Sequence, residues 1–250
     1  MTDHIEITAR GAVQIIRMNR PDKKNAITRA MYAVMAKALT DGDADGAIRC
    51  HVILGVPGAF SSGNDIADFM AVATGSEGGM EVYDFLTALA LSQKPIVSGV
   101  DGIAVGIGTT INLHCDLTLA TSRTEFRTPF VDLGLVPEAG SSLLAPRILG
   151  RQNAFALLGL GEGFSAERAR EVGLIHAVVS PDDLEAETLA AAERVAAKPP
   201  EALKIARDLM LGDREELVAR IREEGEHFRA RLKSDEARNA FMAFMARKKG

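Results

Sequence analysis

Aromatic side chains are scarce in this chain of 250 residues, and their scarcity excludes one large class of partner. Tryptophan is absent and there are only two tyrosines, so the chain lacks the rings on which proteins stack single-stranded nucleic acid. Its formal net charge of −5 also disfavours general binding of polyanions. We therefore expect no nucleic-acid partner.

Cysteine is nearly absent as well, which bears on redox chemistry and compartment. Cys50 and Cys115 lie far apart without a CxxC spacing, and this predicts two reduced thiols. The opening MTDHIEITAR has neither the basic nor the apolar region of a secretory signal, and the closing ARKKG is not a peroxisomal signal. From these features we expect a cytoplasmic protein.

Long hydrophobic runs are missing too, although hydrophobic residues are plentiful. The longest uncharged runs, Cys50 to Asn64 and Gly102 to Cys115, have 15 and 14 residues, whereas a membrane-spanning helix needs roughly 20, so we expect no membrane partner. Hydrophobic residues make up 47% of the chain, which is enough for a large core. We predict one core domain over residues 1–198 and a helical region over residues 199–250, with a boundary near Pro199.

The order of the predicted elements indicates the α/β class. The segment IEITARGAVQIIRM alternates apolar and polar residues around Arg10 and Gly11, which predicts a β-hairpin. Thr28 is expected to cap a helix with one apolar face. The segments CHVILGV, IVSGV and CDLTLAT are predicted as short buried strands, with a helix near residues 79–92 between the first two. In this class, ligands commonly bind beyond one edge of the sheet.

The pattern after Gly150 is almost entirely helical, apart from the short apolar run GLIHAVVS. Pro181 is expected to open one of these helices, and Ser234 is expected to cap the last one. The prediction for the whole chain is thus an α/β core followed by helices.

Two glycine-rich loops follow predicted strands, SSGND at residues 61–65 and AVGIGTT at residues 104–110. We predict that PGAFSSGND is a loop throughout and that DGIAVGIGTTINL is a loop that turns into a helix. Free backbone N–H groups at such places can converge on one negative charge. Each loop alone is more simply a tight turn, but the pair precedes a lone carboxylate, which favours a shared site.

Glu138 is that carboxylate, set among apolar and small residues in FRTPFVDLGLVPEAGSS, where Asp132 is the only other acid. Because it follows Pro137, it is expected to open a helix. It is then either an acid that complements the helix dipole from the first turn, or a catalytic base. The five histidines have no metal-binding spacing and GxSxG is absent, so we expect neither a metal nor a serine nucleophile.

Six segments, in their order along nearly the whole chain, resemble the enoyl-CoA hydratase/isomerase (crotonase) superfamily. They are NRPDKKNA, FSSGNDIADF, DGIAVGIGTT, CDLTLAT, FRTPFVDLGLVPEAGSS and EVGLIHAVV. The resemblance implies a spiral of ββα turns with a helical C-terminal region that builds a homotrimer or hexamer. It also implies an acyl-CoA thioester substrate. Coenzyme A is then part of the substrate, and no separate cofactor is expected.

The resemblance also assigns roles by motif position. The backbone N–H groups of Asn64 and Ile107 are expected to hold the thioester oxygen. The residues expected to bind coenzyme A are Lys23, Lys24, Ala26, Ser62, Gly63, Asn64, Asp65, Ile66 and Arg247, with Lys248 as an alternative to Arg247. For the two adjacent lysines, ordinary surface solvation explains their positions equally well.

The departures from the superfamily pattern are informative. A hydratase of this superfamily uses two glutamates, but their positions are occupied here by Thr110 and Phe130, which cannot act as carboxylate bases. Glu138 instead lies where the Δ3-Δ2 enoyl-CoA isomerase branch carries its catalytic carboxylate. The resemblance therefore favours an isomerase in which Glu138 is the base. The apolar residues expected to raise its pKa are Phe126, Phe130, Leu133, Leu135 and Val136.

Two alternatives to an isomerase stay open. One is a hydratase or another CoA-thioester enzyme of the superfamily, such as a hydrolase or decarboxylase, with Asp68 or Glu138 as an unusual base. The other is a non-catalytic homologue that binds acyl-CoA or RNA. Loss of both usual glutamates favours the second alternative, whereas Glu138 in its motif and the net charge of −5 count against it.

Overall fold

The structure is a computed structural model that describes residues 3–68 and 80–247, with side chains as far as Ala243. The strands are β1 Ile5–Arg10, β2 Val13–Met18, β3 Cys50–Leu54, β4 Ala59–Ser61, β5 Ile96–Val100, β6 Ile103–Val105, β7 Leu117–Thr121, β8 Glu125–Arg127, β9 Phe164–Ser165 and β10 Ala177–Val179. The helices are α1 Arg29–Ala44, α2 Met80–Leu91, α3 Ile107–Thr110, α4 Ser141–Leu149, α5 Arg151–Leu158, α6 Ala166–Glu171, α7 Leu184–Ala196, α8 Pro200–Leu211, α9 Arg214–Leu232 and α10 Asp235–Arg247.

The strands form two sheets. The larger sheet has the order β1-β2-β3-β5-β7-β10 and is parallel apart from the β1–β2 pair. The smaller sheet has the order β4-β6-β8-β9 and is parallel apart from the β8–β9 pair. The chain passes from a strand of the larger sheet to a strand of the smaller one three times, at β3–β4, β5–β6 and β7–β8. This repeated ββ step confirms the predicted α/β class.

Alternating side chains divide the core into two layers across the larger sheet. On β3, Val52 and Leu54 pack in the cluster that contains α7, whereas Ile53 packs in the main cluster on the other face. All five residues of β3 are buried because both faces are covered. The strand predictions for CHVILGV, IVSGV and CDLTLAT are therefore confirmed.

The beginning of the chain folds as the sequence predicts. β1 and β2 form an antiparallel hairpin, and Gly11 in its turn has φ +57°, a conformation that favours glycine. The Thr28 hydroxyl accepts a hydrogen bond from the Met31 N–H at 3.3 Å and so caps α1. Near the end of the chain, the Ser234 hydroxyl accepts one from Ala237 N–H at 3.2 Å and caps α10.

Three local predictions need correction. Both glycine-rich segments contain a short strand, because β4 and β6 pair with each other at Ala59–Ile103 and Ser61–Ala104. Three residues are too few to show an alternating pattern, and each partner is distant in sequence. Likewise, α7 begins at Leu184 rather than at Pro181, after a turn in which the Ser180 hydroxyl accepts from Asp183 N–H at 3.2 Å.

The C-terminal helices pack back onto the core. α8 begins at Pro200, next to the predicted boundary near Pro199, and its buried Arg207 donates to Asp116 at 2.7 Å. On α9, Ile221 and Phe228 belong to the main hydrophobic cluster. α9 therefore packs into the same core as the residues of the N-terminal part of the chain. The division at residue 198 stays a prediction. In the described parts of the chain, no helix combines the length and apolarity needed to cross a membrane.

Candidate active site

Glu138 lies in a turn and not in a helix. α4 begins only at Ser141, because Ala139 and Gly140 both have left-handed backbone angles, with φ +64° and +68°. The Ser141 N–H donates to the Glu138 carbonyl at 3.1 Å and closes the turn. The expectation that Glu138 opens a helix is therefore wrong, and its side chain does not sit in a first helical turn.

The left-handed pair costs free energy that other contacts must offset, about 1–2 kcal/mol for a non-glycine residue such as Ala139. The Ala139 carbonyl accepts a hydrogen bond from Nε2 of His114 at 2.7 Å. His114 is buried, and burial lowers the pKa of its imidazole to about 4, so the ring is neutral at physiological pH. A neutral ring with its proton on Nε2 is the form that can donate to this carbonyl.

The Glu138 carboxyl group is buried and poorly hydrogen-bonded. Only 6% of the residue is exposed, and its Oε1 has no hydrogen-bond partner among the described residues. Burial, and secondly the carboxylate of Glu224, raise the pKa of Glu138 to about 8. A carboxyl group whose pKa lies near neutral pH can both take up and release a proton under working conditions.

Glu138 borders a cavity of about 350 Å³ that lies between α1, α2 and α9. Apolar atoms contribute most of the surface of its wall. Its apolar lining residues are Ile27, Met80, Val82, Leu86, Ala139, Ile221, Phe228 and Leu232. The polar and charged ones are Arg29, Tyr32, Asn64, Asp68, Tyr83, Glu138, Arg222, Glu226 and Arg229. Such a cavity fits a mainly apolar ligand that also carries polar groups.

The apolar surroundings differ from those that the sequence predicts. Phe126, Phe130 and Leu135 are buried and Leu133 and Val136 are partly buried, all in the main cluster, but none of the five is among the described residues that line the cavity. The wall comes instead from helices that precede or follow the motif by many residues. Local sequence could not reveal this, because the contacts depend on how α9 packs.

The two glycine-rich loops meet, as expected from paired parallel strands. β4 and β6 are neighbours, so SSGND and VGIG both leave the same edge of the smaller sheet. A Cβ on Gly108 would lie 2.7 Å from the Ser61 carbonyl oxygen, and one on Gly63 would lie 3.1 Å from that of Val105. The backbones are thus in direct contact, and only glycine fits between them at Gly108.

The N–H groups of Asn64 and Ile107 both lack an acceptor within the described residues. Asn64 forms a parallel bridge with Ile27, but the two bonds of that bridge come from its neighbours: Ile27 N–H donates to Gly63 and Asp65 N–H donates to Ile27. Ile107 opens α3, where first-turn N–H groups have no helical partner. Asn64 lines the cavity, whereas Ile107 is fully buried and is not among the described residues that line it.

Tyr32 on α1 is a site residue that the sequence analysis missed. Its hydroxyl donates to Asn64 Oδ1 at 2.6 Å, and the residue is only 1% exposed. Burial, and secondly the charge of Glu138, raise the pKa of Tyr32 well above its ordinary value, so the phenol stays protonated. A tyrosine within the predicted apolar face of α1 could have suggested a buried donor at this place.

The expected coenzyme A residues form two adjacent segments, residues 23–26 and 62–66. Ser62 joins them, because its N–H donates to the Lys24 carbonyl at 2.9 Å and its hydroxyl donates to that of Lys23 at 3.1 Å. Arg20 donates to the Ala26 carbonyl at 2.9 Å and to Asp65 at 2.7 Å. The side chains of Lys23 and Lys24 are exposed at the surface.

Asn25 holds the first of these segments against β4, the strand that leads into the second. It is fully buried in a left-handed conformation with φ +53°. Its amide donates to the carbonyls of Ala59 at 2.9 Å and Phe60 at 3.1 Å. Arg247 ends α10, but its side chain lies outside the described residues, and so does Lys248.

The two positions of the hydratase glutamates are buried beside the glycine-rich loops. Thr110 is at the end of α3, and Phe130 has Cε1 3.9 Å from where a Cβ on Gly106 would lie. Neither supplies a carboxylate. Asp68 does line the cavity, but its Oδ2 accepts from the Arg29 N–H at 2.8 Å, so one of its oxygens is already used at the start of α1.

The chain is similar to known proteins along nearly its whole length. Residues 8–250 match a family model described as enoyl-CoA hydratase/isomerase. Enoyl-CoA delta isomerase 2 of Rattus norvegicus is 35% identical over 250 residues, which cover 98% of this chain and 64% of the rat protein. The chain therefore spans just under two thirds of the length of that relative.

Two solved structures resemble the present one closely. OdaA of Pseudomonas aeruginosa has a TM-score of 0.92 at 42% identity, over 98% of this chain and 99% of that one. An enoyl-CoA hydratase/isomerase from Pseudoalteromonas atlantica T6c has a TM-score of 0.92 at 35% identity, over 98% of both chains. These matches confirm the predicted ββα spiral with a helical C-terminal region.

Proposed function

Because the chain belongs to the enoyl-CoA hydratase/isomerase family, we propose that it moves a double bond of an enoyl-CoA from the 3 to the 2 position. The observation that carries the proposal is Glu138, a buried carboxyl group with an unpartnered Oε1 at the edge of an apolar cavity. An acyl-CoA thioester is the substrate class that fits the family.

Glu138 is the single base in the proposed reaction. Its carboxylate takes a proton from C2 of a 3-enoyl thioester, and the electron pair of that C–H bond moves towards the thioester oxygen to give a dienolate. The Glu138 carboxyl group then returns the proton at C4, which leaves the double bond between C2 and C3. No water is activated, so the glutamates that Thr110 and Phe130 replace are not needed.

The dienolate needs a partner for the charge on its oxygen. The N–H groups of Asn64 and Ile107 are the proposed donors, supported by their lack of acceptors within the described chain and by the contact between their loops. In other enzymes, the loss of one such donor raises the barrier by about 3–4 kcal/mol. The hydroxyl of Tyr32 supports this arrangement by holding the Asn64 side chain.

Coenzyme A is proposed to lie along the two segments that contain Lys23, Lys24, Ala26 and residues 62–66. The exposed ammonium groups of the lysines suit its phosphates, and the SSGND backbone suits its adenine. Arg247, or its neighbour Lys248, is the further residue proposed to contact coenzyme A, namely that of an adjacent subunit.

A homotrimer or hexamer is proposed for the assembled protein. The support is a group of large apolar side chains on α8 that face solvent in the single chain. Ile205, Leu209 and Met210 are 59%, 79% and 78% exposed. Contiguous apolar surface of this kind is uncommon on a monomer and is typical of subunit interfaces.

An assay with two substrates tests the proposed reaction. We expect the purified protein to convert a 3-enoyl-CoA to the conjugated 2-enoyl-CoA, measured by the absorbance of the conjugated product. We expect little or no hydration of crotonyl-CoA, because the family's two hydratase glutamates are absent. Efficient formation of 3-hydroxyacyl-CoA would instead identify a hydratase. Binding of acyl-CoA without turnover of either substrate would identify a non-catalytic homologue.

A further inference from the structure

A second buried acid, Glu224 on α9, holds the backbone of the turn that carries Glu138. Its Oε2 accepts the Gly140 N–H at 2.6 Å, and its Oε1 accepts the Ser142 N–H at 2.9 Å. The residue is only 5% exposed. One turn earlier on α9, Arg220 donates to the Ser142 hydroxyl at 3.2 Å. α9 is thus hydrogen-bonded to the turn immediately after the proposed base.

The turn depends on such contacts because its backbone is unfavourable locally. A non-glycine residue, Ala139, is left-handed, and so is Gly140. A Cβ on Gly140 would lie 2.4 Å from Cδ1 of Leu217, so a larger residue there would displace that side chain of α9. With Glu224 on one side and His114 on the Ala139 carbonyl on the other, the direction of the Glu138 side chain is set from two elements distant in sequence.

Glu224 also contributes charge to the site. Its carboxylate is, after burial, the second cause of the raised pKa of Glu138. Burial raises the pKa of Glu224 itself, and the Ser142 and Gly140 donors and Arg220 oppose that rise. The other ionisable groups that face the turn are Tyr32 from α1 and neutral His114. Around the cavity lie further charged groups, namely Arg29, Asp68, Arg222, Glu226 and Arg229.

We propose that Glu224 is a positioning residue for Glu138, which fixes the backbone of residues 139–142 so that the base enters the cavity and which places a negative charge beside it. The catalytic consequence rests on the proposed isomerisation. The positioning of Glu138 does not, and it can be tested without substrate.

Two variants distinguish the effect of the side-chain length of Glu224 from the effect of its charge. Glu224→Gln keeps the length but removes the charge and turns an NH₂ group towards one of the two backbone donors. Glu224→Asp keeps the charge but is one methylene too short for both bonds. Glu216→Gln is the matched control, since Glu216 also joins α9 to α4, through an exposed ion pair with Arg147 at 2.8 Å.

With a 3-enoyl-CoA, we expect kcat to fall by about 10-fold or more in both Glu224 variants, because a misplaced base loses near-attack geometry. In Glu224→Gln, the acid limb of the kcat/KM profile moves to lower pH, because Glu138 ionises more easily without an anionic neighbour. In Glu224→Asp, the limb stays near that of the wild type. Glu216→Gln changes neither quantity.

The ¹³C titration of the Glu138 carboxyl group tests the role of Glu224 without turnover. The Glu138 signal is assigned by its absence in Glu138→Gln. We expect the midpoint to fall in Glu224→Gln and not in Glu216→Gln, and amide exchange of residues 139–142 to speed up in both Glu224 variants. If the wild type fails to isomerise, the proposed function is wrong, and this titration still decides the role of Glu224. An unchanged midpoint with unchanged exchange overturns the inference.

The Asp variant decides the case if the Gln variant does not fold. A loss of kcat, or of amide protection where no turnover is found, then supports positioning. Wild-type kcat together with wild-type protection of residues 139–142 overturns it.

Discussion

Glu138 and Asp101 each expose only 6% of their surface, yet the pKa of the first carboxyl group is raised and that of the second is lowered. Asp101 sits where the chain passes from β5 to β6. It accepts from Thr121 at 2.7 Å, from the Gly58 N–H at 2.6 Å and from two nitrogens of Arg123. Arg123 and the other donors outweigh burial and lower the pKa of Asp101 to about 2. Among the described residues no such donor opposes burial at Glu138, and its pKa rises to about 8.

The surroundings of the two carboxyl groups separate an acid with a structural role from one that can transfer a proton. Asp101 accepts hydrogen bonds from donors on two loops and so holds these loops together. Its negative charge strengthens those bonds. Glu138 borders a cavity, and its Oε1 has no hydrogen-bond partner among the described residues. Its carboxyl group can gain or lose a proton near neutral pH. The exposed fraction alone does not distinguish the two, whereas the depth of burial and the hydrogen-bond partners do.

Substitution of Glu138 is expected to have the largest effect on activity. Glu138→Gln keeps size and polarity but cannot accept the C2 proton, so isomerase turnover should fall by at least about 10²-fold while acyl-CoA binding persists. Steady-state kinetics and a direct binding measurement check this. Turnover close to that of the wild type would mean that Glu138 is only a turn residue.

Asn64 allows a further test, because its Oδ1 already accepts from Tyr32, whereas its N–H has no acceptor among the described residues. Asn64→Pro removes that N–H and should lower turnover by about 10²-fold or more. Asn64→Ala keeps it and should lower turnover much less, although it leaves the buried Tyr32 hydroxyl without its acceptor. Both variants are to be compared in protein shown by circular dichroism to be folded. Equal damage in the two variants would assign the chemistry to the side chain and contradict the backbone oxyanion site.

Asp101→Asn should show the opposite profile to Glu138→Gln. The change removes the charge that four donor groups share, so the free energy of unfolding should fall by about 2 kcal/mol. Turnover in the folded protein should match that of the wild type. Urea unfolding and steady-state kinetics measure the two quantities, and a large loss of turnover without loss of stability would break the distinction between the two acids.

The two acids should also differ in how they link stability to pH. The pKa of Asp101 is lowered on folding, so its contribution is present above its unfolded pKa and is lost as pH falls towards about 2. The pKa of Glu138 is raised on folding, so its contribution is present at low pH and is lost as pH rises from about 4.5 through about 8.

Glu138→Gln should therefore melt at a higher temperature than the wild type at pH 9, with the difference shrinking towards pH 5. Thermal unfolding followed by circular dichroism at several pH values checks this smallest of the expected effects. A difference that stays constant across that range would show that Glu138 does not ionise at a raised pKa.

Much of the fold could be predicted from local sequence. The Arg10–Gly11 hairpin, the Thr28 cap and the buried strand β3 depend on turn chemistry, side-chain caps and short apolar runs, which neighbouring residues specify. β4 and β6 escaped prediction because each has three residues and is stabilised by the other, across more than 40 positions of chain. The start of α4 was misplaced because a left-handed alanine is not visible in a residue pattern.

By itself, the sequence determined the α/β class, the family resemblance and the choice of Glu138, because motif order and residue type survive without coordinates. The tertiary structure alone decided what surrounds Glu138. The wall of the cavity, the hydroxyl of Tyr32 on Asn64 and the carboxylate of Glu224 come from α1, α2 and α9. Residue type supplies a carboxyl group, but its pKa and direction depend on desolvation and on donors that only folding brings within hydrogen-bond distance.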